Sequence, residues 1–187
     1  MTDAAPILLA STSPQRRAIL TQLQIPFVAV SPDFEEAPGG DPVDHAIGKA
    51  RSVDGGAQPV LGVDTVVICH GEVIGKPDDL ADAERMLAKL QGRTHEVVSG
   101  LCLRADGWEE VRRETTTVTF RPASARDIAR YLACGEWEGR AGGYAIQGLG
   151  AALVERIDGD YLNVVGLPAA ALVEVLAVRF PGLYGFG

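Results

Sequence analysis

The sequence predicts an α/β fold built on a mixed β-sheet that is flanked by helices. Short apolar, β-branched runs such as residues 60–68 are typical of buried strands. Segments with apolar side chains at helical spacing, such as residues 80–90, alternate with these runs along the chain. The 187 residues are 47% hydrophobic and contain no internal repeat or linker, which indicates one domain over residues 1–187.

The order of elements follows from turn and cap residues between the apolar segments. Ser13 is a predicted N-cap followed by Pro14 at the first helical position, and Asp79 and Ser124 are further predicted N-caps. His70-Gly71 predicts a tight hairpin in which Cys69 pairs with Glu72 and Thr65 with Lys76. The predicted elements are strands at 7–10, 27–30, 60–68, 72–76, 97–103, 115–120 and near 153, and helices at 14–23, 42–53, 80–90, 125–132 and after 168.

Composition and charge narrow the class of partner. The formal net charge of −8 disfavours a protein that binds long nucleic acid, because such domains show a basic face. Three cysteines without C-x-x-C spacing are typical of reduced thiols. The chain shows no signal-peptide pattern and no apolar stretch of membrane-spanning length, so we expect a cytoplasmic protein without a membrane partner.

The turn at residues 11–17 is a candidate anion site. Hydroxyls, backbone N–H groups at a helix N-terminus and the side chains of Arg16 and Arg17 converge there, and phosphate is the usual anion in such places. The turn alone favours a solvated pair of surface arginines beside an ordinary Ser-Pro cap slightly, because helix-dipole effects are weak and screened. Both interpretations stay open on the turn by itself.

Asp64 is a carboxylate inside an otherwise apolar strand. Burial of its charge costs several kcal/mol unless a cation, a metal or hydrogen bonds compensate it. The predicted hairpin register places Lys76 near Asp64, which suits a metal ligand or a water-activating base. A purely structural buried ion pair is the alternative.

Other polar and glycine-rich segments give weaker signals. The stretch 139–150 is neither a dinucleotide fingerprint nor a phosphate-binding Walker loop, although the amide of Gln147 is suited to a base edge. His45, His70 and His95 lack paired metal-ligand spacing, and we expect them to be ordinary histidines.

Taken together, the sequence resembles the Maf family of nucleoside triphosphate pyrophosphatases over nearly its whole length. The resemblance is carried by segments 10–17, 35–36, 48–50, 62–67, 75–77, 92–95, 141–148 and 163–168. It implies an elongated mixed sheet with two lobes around a cleft, as in inosine-triphosphatase-like proteins, and often a homodimer. It also implies hydrolysis between the α- and β-phosphates of a nucleotide, releasing a monophosphate and pyrophosphate.

The resemblance also implies a role for individual residues. Asp64 would be the general base, and Glu36 with Asp64 would hold Mg²⁺ or Mn²⁺. Four residues would bind the triphosphate, namely Ser11, Arg16, Lys49 and Lys76. Three would set base specificity, namely Gln15, Thr65 and Gln147.

The motif Tyr-Ala-Ile-Gln-Gly at 144–148 is similar to the family branch that acts on dTTP and UTP. Gln15 and Gly139-Arg140 depart from that branch, which leaves a broader or modified-nucleotide specificity open. Two competing hypotheses remain: a non-catalytic nucleotide-binding regulator of cell division, and a purine-directed enzyme of the inosine-triphosphatase type.

Overall fold

The computed structural model describes residues 4–187 and contains a seven-stranded mixed sheet flanked by helices. The predicted α/β class with a mixed sheet is therefore confirmed. The strands are β1 (Ile7–Ala10), β2 (Phe27–Val30), β3 (Val60–Cys69), β4 (Glu72–Ile74), β5 (Thr94–Ala105), β6 (Trp108–Phe120) and β7 (Val154–Asp158). The helices are α1 (Pro14–Gln22), α2 (Pro42–Arg51), α3 (Leu80–Leu90), α4 (Ala125–Leu132), α5 (Tyr161–Val165) and α6 (Ala169–Arg179).

The sheet has the strand order β2-β1-β3-β5-β6-β7, with β4 added beside β3. Strand β1 runs parallel to both β2 and β3, whereas the pairs β3–β4 and β6–β7 are antiparallel. The strands that pair in parallel are joined by helical connections, because parallel neighbours need a crossover connection, whereas a short turn suffices for an antiparallel pair.

By its contacts the chain divides into two compact units. The first contains the chain up to Asp64, Ser99–Glu114 and Gly166–Gly187, and the second contains Thr65–Val98 and Thr115–Val165. The single domain over residues 1–187 stays a prediction.

In the first unit, α2 lies directly against the sheet because two strand glycines have no side chain. A Cβ at Gly62 on β3 would lie 2.1 Å from the backbone oxygen of Ala46, and one at Gly100 on β5 would lie 2.2 Å from that of Pro42. The small side chains of Ala46 and Ala50 then pack into the core. Gly62 thus lets α2 approach β3 at Ala46 and Ala50, and Gly100 lets it approach β5 at Pro42.

In the second unit, α3 and α4 each bury an apolar face in a core that includes Leu87 and Tyr131. The predicted caps of both helices are confirmed. The Asp79 side chain accepts from the backbone N–H of Asp82, and Ser124 forms a reciprocal capping box with Asp127.

Several predicted boundaries were wrong. Helix α2 ends at Arg51 rather than Val53, and β4 ends at Ile74 rather than Lys76. The strands predicted at 97–103 and 115–120 are far longer, since they run to the turn at Asp106-Gly107 and carry charged side chains that apolar patterning does not detect. Helix α5 was not predicted.

Candidate active site

A buried carboxylate paired with a buried lysine forms the centre of the candidate site. Nζ of Lys49 lies 2.6 Å from Oδ1 of Asp64 and 2.6 Å from Oε1 of Glu36. The side chains of Lys49 and Asp64 are 6% and 9% exposed, whereas that of Glu36 is 49% exposed. One ammonium therefore compensates two carboxylates, one buried and one half in solvent.

Helix α2 and strand β3 place these groups opposite each other. Gly62 and Asp64 are two residues apart on β3, so their side-chain directions share the face that lies against α2. His45 and Lys49 are four residues apart on α2 and share one helical face. Asp41 caps the N-terminus of α2 by accepting from the N–H of Val43, which fixes where the helix begins.

Glu36 comes from the loop before α2, and an aromatic contact holds that loop. A Cβ at Gly48 would lie 2.1 Å from the Phe34 ring, so the ring rests on the helix where a glycine leaves room. The Phe34 ring also meets the His45 ring edge-on at 6.0 Å between centroids. Glu36 is thereby brought to Lys49 from a segment without regular secondary structure.

His45 belongs to this site although the sequence did not single it out. Its Nδ1 lies 3.1 Å from Oδ2 of Asp64, and both side chains are buried. The spacing between the histidines gave no signal of a site. The signal that could have identified His45 is its position four residues before Lys49 on a helix, which places both side chains on one face. We refer to Glu36, His45, Lys49 and Asp64 as the Asp64 cluster.

Within the Asp64 cluster, Glu36, His45 and Asp64 each offer one ligand atom, and these atoms lie within 4.8 Å of one another. Carboxylate oxygens are the ligands that Mg²⁺ and Mn²⁺ prefer. Lys49 already places a positive charge between the two carboxylates, so the donor set suits a cation. The residues present therefore fit the divalent metal that the family resemblance implies.

Arg16 is the buried cation of the turn after β1. Its Nη1 donates to Oγ of Ser11 at 3.0 Å, and its Nε donates to the backbone oxygen of Gly166 at 2.9 Å. Burial lowers the pKa of the Arg16 guanidinium, while the charges of Asp64 and Glu36 raise it. Arg17 instead is exposed and donates to the backbone oxygen of Thr12, so the solvated interpretation suits Arg17 alone.

The remaining residue of that turn, Gln15, is half-buried on α1. Its Oε1 accepts from Oγ of Ser13 at 3.0 Å, while the same hydroxyl caps the helix at the N–H of Arg16. The predicted N-cap with Pro14 at the first position is confirmed. The first unit thus contains two sets of contacts that are coupled by the charge interactions of Arg16 with Asp64 and Glu36. The first set includes Ser11, Gln15 and Arg16, and the second includes Glu36, Lys49 and Asp64.

The other predicted site residues lie in the second unit. The hairpin pairs Cys69 with Glu72 as predicted, but the ladder ends at Val67 with Ile74, so Thr65 and Lys76 form no ladder pair. Lys76 is exposed beyond β4, and Thr65 is half-buried on β3.

Gln147 is exposed in a loop that buried side chains hold by hydrogen bonds. The N–H of Ala145 donates to the Tyr131 hydroxyl at 2.9 Å, and the Tyr144 hydroxyl lies 2.9 Å from Nε2 of His95. A Cβ at Gly148 would lie 2.4 Å from the Glu136 carboxylate, so a larger residue there would displace the end of that side chain. The loop therefore presents Gln147 outward on a fixed backbone.

Comparisons with known proteins identify the family of the chain. A family model described as Maf-like protein matches residues 6–179. A dTTP/UTP pyrophosphatase of Moorella thermoacetica is 44% identical, over 96% of this chain and 97% of that protein. A dTTP/UTP pyrophosphatase of Gloeobacter violaceus is 46% identical, over 91% of this chain and 94% of that protein. No helix among residues 4–187 has both the length and the apolar character needed to cross a bilayer. With a match of this extent to the family model and to such relatives, the chain belongs to the Maf family.

Proposed function

We propose that this protein hydrolyses the bond between the α- and β-phosphates of dTTP and UTP, producing a nucleoside monophosphate and pyrophosphate. The observation that carries the proposal is the buried carboxylate of Asp64, held by Lys49 and His45 beside Glu36 in a chain of the Maf family. A protein that only bound polyanions without a metal would gain nothing from two carboxylates at this place. The reaction would take place in the cytoplasm, where the nucleotide pool lies.

In the proposed reaction, Asp64 accepts a proton from water through a carboxylate oxygen. The oxygen of that water forms a new bond to the α-phosphorus while the bond from this phosphorus to the bridging oxygen breaks. The electron pair of the broken bond leaves on the pyrophosphate, and the α-phosphate becomes the monophosphate product. General bases placed in this way contribute about 10²–10⁴-fold to a rate.

Cations of the protein would neutralise the triphosphate. Arg16 and Ser11 form a preorganised pair of donors, and Nζ of Lys49 lies 2.6 Å from Oδ1 of Asp64. Glu36 and Asp64 would hold Mg²⁺ or Mn²⁺, which when bound neutralises phosphate charge and favours the developing negative charge of the transition state. A phosphate-binding role for Lys76 rests on the family resemblance.

Substrate choice is proposed from the same resemblance and from the relatives named dTTP/UTP pyrophosphatase. Gln147 is exposed on a fixed loop and offers an amide with both a donor and an acceptor, which suits the edge of a pyrimidine. Gln15 and Thr65 are proposed to contribute to the same selection.

The test is product analysis with a panel of triphosphates that includes dTTP, UTP, purine and modified nucleotides, each with Mg²⁺ and with Mn²⁺. We expect pyrophosphate release, fastest with dTTP and UTP, and a loss of about 10²-fold or more in Asp64→Asn with nucleotide affinity retained. Asp44→Asn, an exposed carboxylate on α2, is the matched control and should keep full activity. Orthophosphate release would contradict the proposal, and binding without any product would favour the regulator hypothesis.

A further inference from the structure

Three segments build the Asp64 cluster, namely the loop before α2, α2 itself and β3. His45 lies on α2 and contacts the other two. From α2, its ring meets Phe34 of the loop that carries Glu36, and its Nδ1 faces Asp64 on β3. Its Nε2 points at the same loop, since a Cβ at Gly40 would lie only 2.4 Å from that atom. The imidazole is therefore fixed on two sides by the chain around it.

The two ring nitrogens have different surroundings. An ionised carboxylate only accepts hydrogen bonds, so the contact at 3.1 Å requires a hydrogen on Nδ1. Nε2 is buried and has no hydrogen-bond partner within residues 4–187. A hydrogen on Nε2 would be a buried donor without an acceptor, which is costly. The contact with Asp64 therefore requires a hydrogen on Nδ1.

We infer that His45 is a positioning residue that orients the general base Asp64, an inference that rests on the proposed function. Rotation of a carboxylate about its last side-chain bond is soft, so a single contact leaves its oxygens free to exchange places. His45 holds Oδ2 while Lys49 holds Oδ1, and the two contacts together fix the rotation of the carboxylate before a metal binds. Loss of the imidazole contact would leave Asp64 charged but poorly oriented.

Three substitutions separate positioning from packing. The side-chain nitrogen of Asn is two bonds from Cβ, as Nδ1 is in histidine, so His45→Asn keeps a donor for Asp64. The nitrogen of Gln lies one bond farther, where Nε2 is, and Leu has no donor. We expect kcat to fall about 10–100-fold in His45→Gln and His45→Leu, with KM for dTTP changed less than about twofold. We expect His45→Asn to recover most of the loss.

Val53→Ala is the matched control for a merely structural effect. Val53 is buried in the core two residues beyond the end of the same helix and does not belong to the Asp64 cluster. Thermal unfolding of all variants identifies whether stability is lowered to a similar extent. The inference is supported when Val53→Ala keeps its kcat at a stability equal to that of His45→Leu. An equal loss of kcat in Val53→Ala, an unimpaired His45→Leu, or a His45→Asn as poor as His45→Leu would overturn it.

A spectroscopic measurement tests the contact without turnover. Long-range ¹H–¹⁵N spectra of the labelled full chain distinguish the two neutral forms of each imidazole, and Asp64→Asn assigns the signals that depend on this contact. We expect His45 to carry its hydrogen on Nδ1, and a hydrogen on Nε2 would refute the inference. If the wild-type chain releases no pyrophosphate from any nucleotide, the proposed function fails, and this spectrum alone then decides whether His45 holds Asp64.

Discussion

At the scale of single residues, Lys49 contacts two carboxylates that are proposed to bind a metal. Its ammonium lies 2.6 Å from an oxygen of Asp64 and 2.6 Å from one of Glu36. A divalent cation bound to those oxygens would compete with it. Lys49 would then be released toward the phosphates, so one side chain would stabilise the protein before binding and the substrate afterwards.

We therefore expect Lys49→Gln to lower the free energy of unfolding in EDTA by about 3 kcal/mol, near the lower end for a broken buried pair because Glu36 is half-exposed. Added Mn²⁺ should raise the stability of this variant more than that of the wild type. Urea unfolding with and without Mn²⁺ measures both effects. Arg51 lies on the same helix as Lys49 and forms an exposed ion pair with Glu109 of β6. Arg51→Gln, which breaks this pair, should lower the free energy of unfolding by only about 0.2–1 kcal/mol. Equal responses to Mn²⁺ in the wild type and Lys49→Gln would contradict the competition.

His95 gives the second unit a dependence on pH. Burial lowers its pKa from an ordinary 6.5 to about 4. Below pH 6.5 the unfolded chain binds a proton that the folded chain rejects, so stability falls as the pH decreases toward 4. Between pH 7 and pH 5 this loss is on the order of 2 kcal/mol. Urea unfolding should show a smaller loss in His95→Gln over that interval, and the exposed His70→Gln should match the wild type.

Single residues also show where sequence reasoning stops. Asp64 was found because a charge interrupts an apolar strand, and Ser13 because its cap chemistry is local. His45 and Phe34 were missed, since their importance arises from a helix, a strand and an irregular loop meeting in space. Lys49 was taken only as a phosphate ligand, because the sequence does not reveal that its ammonium already bridges two carboxylates.

At the scale of elements, the distance between α2 and β3 determines the Asp64 cluster. Gly62 lets the backbone of β3 approach that of α2 at Ala46 and Ala50, and Asp64 follows two residues later on the same face. The spacing of these two elements therefore sets the distance from Asp64 to Lys49 and to His45. The packing of α2 on β3 and the proposed catalysis at Asp64 therefore both depend on the absence of a side chain at Gly62.

Gly62→Ala should push α2 away from β3, because the new Cβ would lie 2.1 Å from a backbone oxygen that has no flexible side chain to yield. We expect a loss of stability of about 1–3 kcal/mol and a fall in kcat well beyond that of a variant of equal stability. Val60→Ala, a cavity on the same strand, provides the comparison. Measuring kcat and thermal unfolding together decides the point, and equal activity in the two variants would contradict it.

Elements that are amphipathic or apolar were predicted well, and elements made of charged residues were not. The first part of β6 contains Glu109 and Glu110, whose partners Arg51 and Arg179 come from α2 and α6. Such strands are stabilised by hydrogen bonds to a neighbouring strand and by ion pairs across elements, neither of which leaves an apolar period in the sequence. The hairpin register of β3 and β4 was correct, because turn chemistry is local.

At the scale of the molecule, an acidic protein is proposed to bind a polyanion. The chain has 25 acidic and 17 basic side chains. In each unit, basic side chains are paired with surface carboxylates, as in Arg113 with Asp41 and Arg85 with Asp82. Such pairing leaves a weakly attractive outer surface for an extended polyanion, while buried Arg16 and Lys49 can act on a small one.

This arrangement predicts binding that depends on the size of the polyanion. With Asp64→Asn to prevent turnover, dTTP and Mg²⁺ at about 100 times Kd should stabilise the fold by about 2.7 kcal/mol, a rise in Tm of about 5–10 °C. Oligothymidylate of roughly 30 nucleotides at the same phosphate concentration should leave Tm unchanged, since long nucleic acid needs an extended basic surface. Thermal unfolding at low salt, where charge attraction is strongest, gives the most demanding comparison. Equal stabilisation by both ligands, with the steep salt dependence of many phosphate contacts, would show that the surface and not the buried site binds the anion.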